Sequence, residues 1–248
     1  LIKGLHFYSE IPVIIYVVNT PNKKTLLPNK FKEFNNIIIR YVSTNDHIWA
    51  TKLTIMVDAI NFINKPNSKL IYLDADTIVN YSIDKLFEFS DKVKNIPYLS
   101  EHPSYVAAVQ VLYDSLGKGK KIEFKKKFGH ADLIWYNSNC SDFLKEVYNL
   151  VIRHKGISDE AVINYLQNKY NLLENMPYMT PNFKIYKKYI NKEDIKELIG
   201  KKKGGEYFEE IYLHLFHGCK DPKICNEINN ELEEFNLENE NYQIHYNK

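Results

Sequence analysis

At 248 residues the chain has room for one large domain or two small ones, at roughly 150 residues per domain. Apolar residues at 44% and charged residues at 26% match an ordinary globular composition and exclude a wholly disordered, collagen-like or coiled-coil chain. The formal charge of +2 supplies no global field toward nucleic acid or anionic membrane, so no nucleic-acid partner is expected.

The longest nearly uninterrupted apolar run, Ile11 to Val18, is far shorter than the roughly 20 residues of a membrane span, so no transmembrane segment is expected. That run is β-branched and bounded by Pro12 and by Asn19-Thr20-Pro21-Asn22, which reads as a buried first strand. Ile37 to Val42 reads as a second strand. From Trp49 to Ile63 apolar residues recur at helical spacing, and Asn64-Lys65-Pro66-Asn67 stops the helix. Leu70 to Leu73 is then a third strand, running directly into Asp74-Ala75-Asp76. Strand, helix and strand in alternation predict a βαβ-type sheet, and ligands of such sheets bind beyond the carboxyl ends of the strands.

Further along, Asp84 to Phe89 reads as a short helix and Gly117 to Lys127 as a lysine-rich loop, for which an anionic acceptor and a plain solvated face are both open readings. Leu133 to Tyr136 is a strand, followed by an amphipathic helix from Ser141 to about Lys155. The next helix begins near Ser158, with Ser158 as its cap and Asp159-Glu160 as first-turn acids. Lys201 to Gly205 is a basic loop, Ile211 to Phe216 a strand, and residues 226–241 a glutamate-rich surface helix. Cys140, Cys219 and Cys225 are an odd set with no usual zinc spacing, which points to a reducing, cytoplasmic setting. The start at Leu1 leads us to expect a trimmed chain or a domain of a longer protein.

The chemistry concentrates at Asp74 and Asp76. Carboxylates at a strand end suit Mg²⁺ or Mn²⁺, which take one or two protein carboxylates and complete their shell with phosphate oxygens and water. Two acids in a turn are also a common solvated strand end. The string Ile71-Tyr72-Leu73-Asp74-Ala75-Asp76-Thr77-Ile78-Val79, however, resembles the D-x-D segment of nucleotide-sugar glycosyltransferases of the GT-A fold. Its closest likeness is to the glycogenin-like group. Ser82 to Phe87 looks like the short helix after D-x-D in that group, and Trp49-Ala50-Thr51-Lys52 is similar to a segment beside the nucleotide. The late string from His214 to Lys220 resembles the second metal motif, in which a histidine, a glycine and a lysine close over the diphosphate. These landmarks run over residues 11–223.

The resemblance implies a single GT-A type α/β domain over 1–248, with a Rossmann-like sheet flanked by helices. Residues 1–95 would bind nucleotide, 96–225 the acceptor and donor sugar, and the C-terminal helix would close the chain. It implies a UDP-sugar donor, a glycan, protein or lipid acceptor, and an Mn²⁺ or Mg²⁺ cofactor. Asp76 would bind the metal, and Asp74 the metal or the ribose. His217 would be the third ligand, with His214 as the alternative. Gly218 would let backbone approach the diphosphate and Lys220 would neutralise it. Val18, Asn19 and Thr20 would contact base or ribose and Ala75 the nucleotide. Lys52 would reach a phosphate or the base unless it is a plain surface lysine. Asp159, Glu160 and Asp132, with His130, would face the sugar or acceptor, although capping explains Asp159 and Glu160 equally well. Three other readings remain: a haloacid-dehalogenase-like phosphatase using Asp74-Ala75-Asp76-Thr77, a sugar-nucleotide pyrophosphorylase, and a non-catalytic nucleotide- or carbohydrate-binding relative.

Overall fold

A computed structural model describes residues 5–6, 9–22, 24–27, 29, 31, 34–75, 77–79, 83–101, 114–117, 123, 125, 128–154, 156–176, 185–186 and 213–216; at 77–79, 85, 101, 185–186 and 213–216 the backbone alone is described. The described residues fall into two compact units, one from segments 2–74 and 82–179, the other from 75–81 and 180–248.

In the larger unit, the β-branched run near the N-terminus forms β1 (Val13–Asn19), which pairs in parallel with β2 (Ile37–Ser43) from Val13↔Ile37 to Asn19↔Ser43. Helix α1 (Ile48–Ile63) follows. Its buried Ala50, Leu53, Met56 and Ile60 recur every three or four residues, the spacing that places them on one face. His47 caps its start by accepting from the Trp49 N–H, and Asn64 ends it in the left-handed conformation at φ 47°. Arg40, on β2, grips Asp58 of α1 through two hydrogen bonds of 2.8 and 3.0 Å, and the Tyr16 hydroxyl of β1 donates to the same carboxylate at 2.6 Å. One charged fork thereby joins β1, β2 and α1.

The chain then enters β3 (Lys69–Leu73), which runs antiparallel to β6 (Gly129–Asn137) from Lys69↔Asn137 to Leu73↔Leu133. On the other side of β6 lies β5 (Tyr98–Glu101), also antiparallel, with a register shift between Leu99 and Ser100. Every residue of β6 is buried, as befits the central strand of a ladder covered on both faces. Helix α2 (Ser141–Arg153) packs against α1, and α3 (Asp159–Lys169) packs against α2 and β6. A 3₁₀ segment, Asp84–Lys92, lies on β3 and β6. The core centres on Trp135, whose indole N–H donates to Leu86 O at 2.9 Å, among Leu53, Leu99, Leu133, Ile134, Leu144, Ile163 and Leu166.

The smaller unit contains a ladder with β8 (Leu213–Phe216) between two neighbours. It is antiparallel to β4 (Thr77–Val79) and parallel to β7 (Ile185–Tyr186).

The chain is therefore mixed α/β, as expected, but its described strands pair in separate ladders rather than in one. Two boundaries are corrected. The strand expected over Leu133 to Tyr136 starts at Gly129, so His130 and Asp132 lie within β6 rather than ahead of it. The short helix expected over Asp84 to Phe89 is a 3₁₀ helix that runs on to Lys92. The loops expected over 201–205 and the helix over 226–241 lie outside the described residues, as does most of 117–127. Among the described residues no helix is long and apolar enough to cross a membrane.

Candidate active site

The β3–β6 register creates the site. Leu73 pairs with Leu133, and the Asp74 N–H continues the ladder by donating to Asp132 O at 3.0 Å, so Asp74 and Asp132 are cross-strand neighbours. Like charges in that relation repel, and something must offset them. From the exposed end of α1, Lys52 extends its ammonium between the elements. Its Nζ lies 3.2 Å from Asp74 Oδ1 and 3.2 Å from Asp159 Oδ2, and donates to Ala131 O at 2.9 Å. The Tyr72 ring lies 4.8 Å from the same nitrogen, a cation–π contact. Tyr72 also donates its hydroxyl to Asp74 Oδ1 at 2.6 Å. Lys52 is thus buried, with only 11% of its side chain exposed, which rules out the plain surface lysine.

The register shift at β5 explains why backbone groups are available here. Leu99 pairs with Ile134 but Ser100 pairs with His130, so Ala131 to Leu133 have no direct β5 counterparts. Side chains take the place of the missing strand. Ala131 N–H donates to Glu160 Oε2 at 3.0 Å while Ala131 O accepts from Lys52. At Gly129, Asn164 of α3 both accepts from the N–H and donates to the carbonyl, each at 2.8 Å. The amide acts as a local strand, and it also fixes α3 against β6.

Helix α3 brings the acids in. The Ser158 hydroxyl accepts from Ala161 N–H at 3.2 Å, so Asp159 and Glu160 occupy the first turn, where the macrodipole favours negative charge. Capping is therefore carried by Ser158, and both acids turn toward β6 and α1. Two residues apart on one strand, His130 and Asp132 share a face. His130 Nδ1 lies 2.9 Å from Asp132 Oδ2 and 3.8 Å from Glu160 Oε2.

More carboxylate than cation is buried here, and the protonation equilibria respond. Burial pushes the Asp74 carboxyl up to about 7, opposed by Lys52 and reinforced by Asp132. Burial likewise raises Glu160, against the pull of His130 and the Ala131 N–H, with Asp132 and Asp159 adding to the rise. For Lys52, burial acts downward, but Asp159 and Asp74, with Tyr72 and Asp132, more than reverse it and hold the ammonium well above its usual range. Lys52 is a permanent buried cation at any physiological pH. Asp159 Oδ2 is buried and has no hydrogen-bond partner, its contact with Lys52 being an ion pair without hydrogen-bond geometry.

Lys52, Asp74, Asp132, Asp159 and Glu160 thus meet within one unit, joined by His130. Val18 and Thr20 are exposed at the end of β1, and Asn19 uses its polar atoms within its own loops: its side chain accepts from Thr25 N–H and its carbonyl from Thr44 N–H. Ala75 is exposed. Asp76, His217, Gly218 and Lys220 lie outside the described residues, and of His214 only the backbone, within β8, is described. Sequence reasoning missed Tyr72 and Asn164. Tyr72 stands two residues before Asp74, whose N–H continues the β3 ladder, and so on the same face, a signal that was there to be read. Asn164 carried none, since its role depends on a strand 35 positions away.

No protein-family model matches the chain, and a comparison with curated proteins gave no significant match.

Proposed function

We propose that this chain is a metal-dependent glycosyltransferase of the GT-A type, moving a sugar from a UDP-sugar to an acceptor hydroxyl of a glycan, protein or lipid. The observation that carries the reading is the gathering of Asp132, Asp159 and Glu160 with Lys52 around Asp74, the first acid of the D-x-D string, at the carboxyl end of β3. The parallel β1–β2 pair, and α1 leading into β3, support the same fold, a Rossmann-like sheet with flanking helices.

The excess of carboxylate over ammonium around Asp74 suits a divalent cation, and a histidine in the shell favours Mn²⁺ over Mg²⁺. Asp74, Asp76 and His217 would hold the ion. When bound, it would supply positive charge to the departing diphosphate. Asp74 presents only part of its carboxylate, because Oδ1 is occupied by Tyr72 and Lys52. Those two contacts orient it. Lys52 brings a second positive charge that is already desolvated and positioned, so it needs little rearrangement to stabilise developing negative charge. Asp159 Oδ2, a buried acceptor lacking a donor, matches a sugar hydroxyl. Glu160 and Asp132 would position the reacting sugar or acceptor, and Gly218 and Lys220 would close on the diphosphate.

Calorimetry of UDP with and without Mn²⁺, on wild type and Asp76→Asn, tests this reading. Mn²⁺-dependent UDP binding that is lost in the variant, together with UDP release from one member of a UDP-sugar panel, is the expected result. Failure of UDP to bind under either condition would overturn UDP as the donor nucleotide.

A further inference from the structure

His130, Asp132 and Glu160 present a different arrangement from the D-x-D string. Their ligand atoms, His130 Nδ1, Asp132 Oδ2 and Glu160 Oε2, all lie within 4.8 Å of one another, and the residues are buried or half-buried. Nδ1 stands 2.9 Å from one carboxylate oxygen and 3.8 Å from the other. Two carboxylate oxygens facing one imidazole nitrogen favour a positive species among them, a proton on one of the three groups or a metal ion. The Asp132 N–H also points at Nδ1, at 3.3 Å, and a donor in that position disfavours a proton on the same nitrogen.

The spacing suits an ion. Around a tetrahedral centre with bonds of about 2.1 Å, ligand atoms lie about 3.4 Å apart, between the two separations measured here. Small side-chain movements would close the shell. Glu160 Oε2 is oriented by the Ala131 N–H at 3.0 Å, the outer-shell support that ligating carboxylates usually have. One imidazole with two carboxylates suits a borderline transition ion, whereas Mg²⁺ and Ca²⁺ prefer all-oxygen shells.

We propose that His130, Asp132 and Glu160 form a binding site for a divalent transition-metal ion, Zn²⁺ before Mn²⁺ in affinity, with ligands other than the Asp74, Asp76 and His217 of the proposed donor site. An ion here ties the first turn of α3 to β6 beside Lys52. The site stands on geometry within one unit and is independent of the nucleotide-sugar reading.

The test uses the full chain stripped with chelator and titrated with Zn²⁺ alone, by calorimetry and by thermal melting. Zn²⁺ should bind with at least tenfold higher affinity than Mg²⁺ and raise the melting temperature. His130→Ala and Glu160→Gln should each weaken Zn²⁺ binding at least tenfold, whereas Asp76→Asn should leave it in place. Glu160→Gln keeps a carbonyl to accept from Ala131, so loss of binding in that variant is not loss of fold. Zinc K-edge absorption on the wild type should register one imidazole, oxygen neighbours and no sulfur. Equal Zn²⁺ affinity in wild type and both site variants, a sulfur ligand, or no preference for Zn²⁺ over Mg²⁺ would each overturn the proposal.

Discussion

Lys52 and Asp74 define the residue scale, because burial raises the Asp74 carboxyl while neighbouring charge, against burial, keeps Lys52 protonated. The Asp74 carboxyl, pushed from 3.8 to about 7 by burial, holds its proton more tightly folded than unfolded. Its contribution to stability is therefore intact below the unfolded value and is lost as pH rises through about 7. Glu160 shifts in the same direction and adds to the trend. In metal-free protein, Asp74→Asn should become more stabilising relative to wild type by about 2–3 kcal/mol between about pH 5 and about pH 8. Urea denaturation at both pH values measures this, and a pH-independent difference would contradict the raised carboxyl. At this scale the D-x-D string was legible because two acids after an apolar run stand out. Lys52 was not, since nothing local distinguishes it in a lysine-rich chain from its solvated neighbours. Its partners, Ala131 and Asp159, are 79 and 107 positions away.

Among elements, β6 and α3 position the site and differ in how readily they could be read. Helix α3 was placed from Ser158 and its following acids, because an N-cap signal is local. The first four residues of β6 fall outside the strand expected over Leu133 to Tyr136, since Gly129, His130 and Asp132 break the apolar pattern of a buried strand. They are held in the strand by Asn164 and by the β3 and β5 ladders. Space is scarce there. A Cβ on Gly129 would stand 2.6 Å from Leu99 Cβ and 2.9 Å from Asn175 Oδ1, distances that force β5 away. Gly129→Ala should cost about 1–3 kcal/mol and, by displacing the neighbouring His130, weaken Zn²⁺ binding in the same preparation. Denaturation paired with Zn²⁺ calorimetry checks both effects.

The larger unit rests on a core in which β6 is enclosed from both sides. Ile134 is fully buried beside Trp135, Leu133 and Leu99, so Ile134→Ala removes packed methyl groups and leaves a cavity. A loss of about 2–5 kcal/mol is expected, read as a shift in urea midpoint without change in slope. A cost within that range would place β6 in the cooperative core, while a negligible cost would mean that the strand is not closely packed.

The amino-acid sequence alone determined the α/β class, β1, β2, α1 and the end of β3 at Asp74, and the start of α3. These follow from periodicity, capping and breaker residues within a few positions of one another. Tertiary structure decided that β3 runs antiparallel to β6, that the β5 register shift leaves Ala131 open to Lys52 and Glu160, and that His130, Asp132 and Glu160 converge. Those outcomes depend on pairing and burial between segments tens of residues apart. A carboxylate or ammonium acquires its chemistry from the water it loses and the charges it then faces, and neither is written in the neighbouring residues.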